Sequence, residues 1–291
     1  PLGKPLPQIK SNSEQRREGV ELTMRWSDMT PRKFTYEVGF NMTYFNSLWK
    51  VKADEALSDL MNPYKRQTHQ TDYYGLGYID TGLYQNKEDI LNSPRRLGST
   101  QTKLGDIGYT DVNGDGKIDG EDQVRIGKPT MPHFTYAFDF SLGYEGFTLS
   151  GLLYGTGERY MTFGNRYQSG EGKYLYYENQ LNYWRPDNTG ADFPRISISS
   201  GVNGNNNKAG STFWMRNASY LRLKDLQLSY DFKYKYLKKC DWLQTCRVNL
   251  SGSNLFTISG VSKFFDPETS STSGDGYPVQ RVYSIGVTIG F

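Results

Sequence analysis

Histidine and cysteine are nearly missing: two of each in 291 residues. His69 and His133 stand far apart with no partner at ligand spacing, which argues against a histidine metal centre. Cys240 and Cys246 have five residues between them; they could close a disulfide across a turn or remain two thiols, and neither state identifies a function. No stretch approaches the ~20 apolar residues of a transmembrane helix. With mean hydropathy at −0.69, the lack of such a run excludes helical spans but not membrane strands, whose signal is alternation. The formal net charge is only +3, with Lys and Arg scattered, so electrostatics gives no argument for nucleic acid. No nucleophile motif, phosphate-cradling glycine loop or Cys-x-x-Cys occurs, and an enzyme is not expected. Pro1-Leu-Gly-Lys-Pro-Leu-Pro lacks a charged n-region and an apolar h-region, the expectation being a cytosolic chain or a mature or partial one.

Aromatic residues are abundant, 15% with 23 Tyr, which favours strands or an interfacial belt. They fall in alternating runs. Phe34, Tyr36, Val38, Phe40, Met42 and Tyr44 alternate with small or polar residues. So do Phe134, Tyr136, Phe138, Phe140, Leu142 and Tyr144, and likewise Val20, Leu22, Met24 and Trp26. The run Arg281–Phe291 sends Tyr283, Ile285, Val287, Ile289 and Phe291 to one side. Strand side chains alternate between faces, so each run has one greasy face and one small or polar face. Leu226, Leu228, Tyr230 and Phe232 form another run, with Leu221 and Leu223 out of phase; a β-bulge near Lys224-Asp225 would produce that slip. Weaker strands near Phe147–Thr156 and Arg247–Thr257 bring the visible number to seven. Eleven residues tilted about 45° roughly cross a hydrocarbon layer.

Connections alternate in length. The link Asp28–Lys33 and the turn Glu145-Gly146 are short; the excursions Phe45–Pro132, Gly157–Asn217 and Ser259–Gln280 are long, and only Lys233–Cys246 is long for a turn. Sorting by end belongs to an outer-membrane barrel, with short periplasmic turns and long extracellular loops. It puts the carboxyl terminus in the periplasm. Glu21, Arg25, Glu37 and Asp139 then face a wet lumen rather than lipid. An odd, open set of strands leaves edges that lipid does not tolerate, so a larger barrel, or strands not visible in the pattern, is expected. The alternative is a soluble secreted calcium-binding β-sandwich for adhesion or carbohydrate binding, because one-sided sheets show the same alternation.

One constellation carries site chemistry. Asp111, Asn113, Asp115, Asp119 and Asp122 occupy positions 1, 3, 5, 9 and 12 of an Asp-rich loop. Gly116 sits at the sharp turn, and Lys117 would offer its backbone carbonyl. Clustered hard oxygens suit Ca²⁺ (or Mg²⁺), with the shorter Asp122 leaving water to finish the shell. An Asx-rich turn that binds nothing is the other reading. Ile118 would plug the loop into a local core. The loop is single, whereas a dockerin-like module would carry a second copy. Tyr73, Tyr74, Tyr84, Tyr174, Tyr176, Tyr177, Tyr183, Trp184 and Trp214 crowd the long loops, where packing within ordered loops is expected before ligand stacking.

Several segments together resemble the SusC/RagA family of TonB-dependent outer-membrane transporters, in its carboxyl-terminal barrel. They are Gly105-Asp-Ile-Gly-Tyr-Thr-Asp-Val-Asn-Gly-Asp-Gly-Lys-Ile-Asp119, Ile126-Gly127 with Pro132–Tyr136, Tyr183-Trp-Arg-Pro-Asp-Asn188 with Phe193-Pro-Arg195, Asn217–Lys224, Ser253-Asn-Leu-Phe256 and Gly19–Leu22. The resemblance implies an all-β fold: the last strands of an antiparallel 22-stranded transmembrane β-barrel whose plug and earlier strands lie outside residues 1–291. It also implies an extracellular metal-binding loop at 105–128. Import of oligosaccharides or peptides, a SusD-like lipoprotein lid, the TonB complex acting through the plug, and outer-membrane lipid are its implied function and partners. On this reading the chain supplies barrel wall and outer loops, and a bound cation would neutralise Asp111, Asp115, Asp119 and Asp122 and stiffen the loop.

Overall fold

The computed structural model describes residues 12–71, 75–96, 98, 101–128, 131–168, 177–196, 202–261, 264–269, 272, 276–277 and 279–291. All seven expected strands form: β1 (Glu14–Met29), β2 (Thr35–Val51), β3 (Phe134–Tyr144), β4 (Phe147–Gly157), β5 (Tyr220–Asp231), β6 (Thr245–Ser259) and β7 (Val282–Gly290). They pair antiparallel in chain order into one sheet whose edges are β1 and β7.

Register turns seven separate alternations into two continuous faces. Tyr36, Leu142, Leu149, Leu228, Leu250 and Ile285 are successive cross-strand partners; the next row is Ser27, Glu37, Ser141, Ser150, Gln227, Ser251 and Ser284. On the polar face Arg25 pairs with Glu37 at 3.1 Å and with Asp139 at 3.5 Å. Apolar side chains on the other face stay open: Trp26 is 64% exposed and Ile285 73%. The phase slip at Leu223 is a register shift between Leu223 and Asp225 that leaves Lys224 without a partner in the ladder. Two findings depart from the sequence pattern. β2 runs past Tyr44 to Val51 because Glu14–Gly19 of β1 keep its ladder paired there; backbone hydrogen bonds need no apolar alternation. And among the described residues no second sheet covers the apolar face, as the sandwich alternative requires.

The connections sort by end as expected. Residues 30–34, 145–146 and 232–244 close one end, while 52–133, 158–219 and 260–281 leave the other. Glu145 and Gly146 both have positive φ, 46° and 86°, the backbone of a type I′ hairpin.

The buried core lies beyond the sheet. Tyr78, Ile107, Tyr109, Ile118, Phe163 and Trp214 pack together in the long excursions, which knit to one another through the backbone. Tyr78 N–H donates to Gly210 O at 2.9 Å and Thr212 N–H to Tyr78 O at 3.0 Å. Short ladders pair Gly75–Gly77 with Val124–Ile126, and Asp80–Leu83 with Ile107–Tyr109. The result is an ordered cap at the long-loop end.

Candidate functional site

The Asp-rich loop leaves the cap from the buried strand Ile107–Tyr109, and its own carboxylates fold it. Asp111 Oδ1 accepts from Gly114 N–H at 2.6 Å and Asp115 N–H at 3.3 Å, and Oδ2 accepts from Gly116 N–H at 2.7 Å. Asn113 Oδ1 accepts from Asp115 N–H and Asp115 Oδ1 from Lys117 N–H, at 3.0 and 2.9 Å. Gly116 has φ +83°, a conformation that a side chain disfavours. Asp119 caps a short 3₁₀ turn, Gly120–Asp122, by accepting from Glu121 N–H. Asp122 is fully buried and closes the loop on itself. Its carboxylate accepts from Asp119 N–H at 2.7 Å, Val112 N–H at 2.9 Å and Asn113 N–H at 3.5 Å.

Electrostatics follow from those donors. Desolvation alone would raise the pKa of Asp111, but the amides of Gly116, Gly114 and Asp115 and the approach of the Asp122 side chain hold it below the usual carboxylate range. Asp111, Asn113, Asp115, Lys117, Asp119 and Asp122 thus share one loop, and their oxygens are of the hard type that Ca²⁺ or Mg²⁺ takes. Their carboxylates are turned to backbone amides. Among the described residues no group of three or more His, Cys, Asp or Glu side chains gathers around a point where an ion would sit.

The loop is fastened at both ends. Ile118 is fully buried in the cap core, as its pattern suggested, and Arg95-Arg96 pairs in parallel with Lys117-Ile118. Buried Lys65 reaches Glu121 at 3.1 Å. A cavity of about 320 Å³ is lined by Tyr84, Arg95, Arg96, Tyr109, Ile118 and Asn206 among others. Burial raises the pKa of Tyr109 far above the usual tyrosine value; its hydroxyl donates to Asn206 O at 2.6 Å.

Two polar hubs escaped residue-by-residue sequence reasoning. Asp106, fully buried, accepts from Lys103 N–H at 2.9 Å and Asn207 Nδ2 at 3.0 Å and pairs with Arg195 at 2.7 Å. It joins segments about ninety residues apart; only the recurrence of Gly105-Asp106 and Pro194-Arg195 in the resemblance marked them. Gly105 (φ +78°) lies under Trp184, whose ring a Cβ would strike at 2.4 Å. The second hub is Arg222 on the polar face of β5, with its side chain 1% exposed. Its guanidinium pairs with Asp266 at 2.6 Å and Glu268 at 2.7 Å, and Nε donates to Thr257 Oγ1 at 2.8 Å. Tyr220 donates to Glu268 at 2.6 Å, and Lys224, the bulged residue, reaches it at 3.2 Å.

Loop aromatics pack as expected. Tyr84, Trp184 and Trp214 are buried, and Tyr177 and Tyr183 lie against the core; Tyr73, Tyr74, Tyr174 and Tyr176 fall outside the described residues. His133 is buried against Phe45, ring centroids 5.0 Å apart. Cys240 and Cys246 are free thiols.

Comparison with known proteins places this arrangement. TonB-dependent receptor P3 of Formosa agariphila is 26% identical over 319 residues, 99% of this chain and 30% of that receptor. TonB-dependent receptor P26 of the same organism is 26% identical over 228 residues, 72% of this chain and 22% of the receptor. The chain therefore spans under a third of these relatives' length. Among solved structures, the RagAB peptide transporter superposes with a TM-score of 0.69 at 20% identity, over 95% of this chain and 29% of that one. The RagAB peptide importer in its open-open state gives 0.67 at 20% identity, over 96% and 29%. No family model matches.

Proposed function

We propose, for a chain that in sequence and fold is the carboxyl-terminal part of a SusC/RagA-like TonB-dependent transporter, that it forms barrel wall and outer loops for import across the outer membrane. The observation that carries this reading is the single sheet with one continuous apolar face left open and one polar face. Water does not favour so large an exposed apolar surface; hydrocarbon does. The polar face then lines a lumen closed by strands outside these residues. Short turns face the periplasm, as does the carboxyl terminus, and the cap faces outward. Passage is gated movement without covalent chemistry, of oligosaccharides or peptides. A SusD-like lipoprotein covers the cap, and TonB acts through a plug that these residues do not include.

Neighbouring positions on opposite faces test the membrane reading in the full-length transporter. Leu250→Lys puts a charge into the open apolar row and should cost about 2–4 kcal/mol near mid-bilayer. Ser251→Lys, one residue on, points into the polar row and should be tolerated. Heat-modifiable folded protein in the outer-membrane fraction reads both; equal tolerance of the two, or recovery of the chain without detergent, sinks the reading.

The Asp111–Asp122 loop is the proposed cation site, at positions 105–128 of the outward cap. Asp111, Asn113, Asp115, Asp119 and Asp122 with the Lys117 carbonyl would hold Ca²⁺ or Mg²⁺, whose charge would offset the crowded carboxylates. Support comes from the donor chemistry and from the amide cradle that already orders the loop. Terbium luminescence of the transporter should titrate to saturation, be displaced by Ca²⁺, and weaken at least tenfold in Asp115→Asn, whose exposed side chain holds only one amide of the turn. Absence of saturable binding in the unsubstituted protein ends the metal proposal and leaves the Asx-turn reading.

A further inference from the structure

We propose that the turn 232–244 is a binding site for anionic phospholipid headgroups, at the rim where the membrane-facing surface meets water. This rests on the membrane reading above. The other connections at this end use five and two residues, 30–34 and 145–146; closing a hairpin requires no more. Here thirteen residues are built into an ordered projection. Tyr236 and Leu237 N–H both donate to Phe232 O, at 3.0 and 2.9 Å, and Leu243 is buried beneath the turn. Lys233 is consumed internally: its Nζ donates to Cys240 O and Leu243 O, each at 2.7 Å.

That staple holds three further lysines outward. Lys235, Lys238 and Lys239 are exposed and form no ion pair with an acid among the described residues. Asp241 is the only acid between Phe232 and Gln244. Tyr234, Tyr236 and Trp242 are exposed beside them, Trp242 by 67%. Lysine with amphipathic aromatics is the chemistry of a headgroup region: phosphate for the ammonium groups, and a half-wet, half-apolar layer for the rings. The aromatics also join the turn to the open apolar face. Trp242 stacks on Phe291 at 5.8 Å and 13°, and Tyr236 lies 6.3 Å from Tyr230, which packs on Phe147 at 4.4 Å. The turn belongs to β5 and β6, whose outer neighbours β4 and β7 are both present. Strands beyond the sheet edges therefore do not cover it.

Each lysine close to an anionic leaflet strengthens binding about fivefold, so three set a preference that a lipid mixture can read. The full-length transporter, extracted into detergent with equimolar phosphatidylglycerol and phosphatidylethanolamine, is examined by native mass spectrometry. The unsubstituted protein should retain phosphatidylglycerol preferentially. Lys235→Gln/Lys238→Gln/Lys239→Gln should lower the retained ratio at least tenfold, while the arginine counterpart at the same three positions preserves it. Lys87→Gln/Lys103→Gln/Lys128→Gln, at the opposite end, should leave it unchanged. An unaltered ratio in the glutamine variant, or an equal fall in the opposite-end control, overturns the headgroup site. Retention of both lipids without preference fails this proposal alone. A protein that retains neither lipid fails the membrane reading, and this proposal with it.

Discussion

Replacing Arg222 by Met should release the segment 264–269 from the sheet and destabilise it by about 3–5 kcal/mol. The intact bridge need not add much net stability, because desolvating three ionised groups offsets most of their attraction. Its removal is asymmetric. Asp266 and Glu268 would be left facing each other in a partly buried site, with Lys224 still reaching Glu268. Rapid proteolysis between 260 and 281, with the strands still protected, is the expected signature. Arg222→Lys should fall between, since an ammonium cannot fork to two carboxylates and Thr257 together. Neutralising both acids in the Met background, as Asp266→Asn and Glu268→Gln, should recover part of the loss. Equal protease resistance in Arg222→Met and the unsubstituted protein would show that the segment is held by packing instead.

The same hub sets a pH dependence. Desolvation pushes the Glu268 pKa up, but the Tyr220 hydroxyl and the charges of Arg222 and Lys224 outweigh it and hold the carboxyl below its ordinary range. A carboxyl whose folded pKa is depressed stabilises fully above its unfolded value, about 4.3. That contribution is lost as pH falls through the lower folded value. The tether should therefore hold at neutral pH and weaken in acid, and Arg222→Met, which has already lost the charge pairing at neutral pH, should lack that acid-dependent loss.

Trp214→Ala is the second large effect, about 3–5 kcal/mol, confined to the cap. Trp214 is fully buried; its indole N–H donates to Asn207 O at 2.8 Å, and its ring meets Phe213 at 5.1 Å and Phe163 edge-on at 6.2 Å. It belongs to the second excursion yet packs in one core with Tyr78, Ile107 and Ile118 of the first. Its loss should raise amide exchange in both excursions, including the Asp-rich loop that Ile118 anchors, while β1–β7 keep their protection. Trp214→Phe should retain most of the packing and lose the indole hydrogen bond. Exchange that rises in residues 202–219 alone would mean that the two excursions do not form a cooperative unit.

Sequence alone determined the strands, because a sheet with one apolar face writes a period of two into the chain, and a phase slip such as Leu223 to Leu226 writes a bulge. It also determined which connections are long, and so which end carries them, since antiparallel neighbours reverse direction at every link. The Asp-rich loop was legible as a sharp turn, and Ile118 as its anchor. Tertiary structure decided the rest. Asp106 with Arg195, Asp80 with Thr212 and Arg222 with Asp266 join side chains far apart in the chain, at sequence separations of 89, 132 and 44; no local pattern encodes such pairs. The same reason governs the loop oxygens. Spacing brings Asp111, Asp115, Asp119 and Asp122 into one turn, but backbone amides within hydrogen-bonding reach decide where each carboxylate points. The lysines of 232–244 follow suit: composition places them in a long turn, and only the internal staple of Lys233 turns three of them outward at one rim.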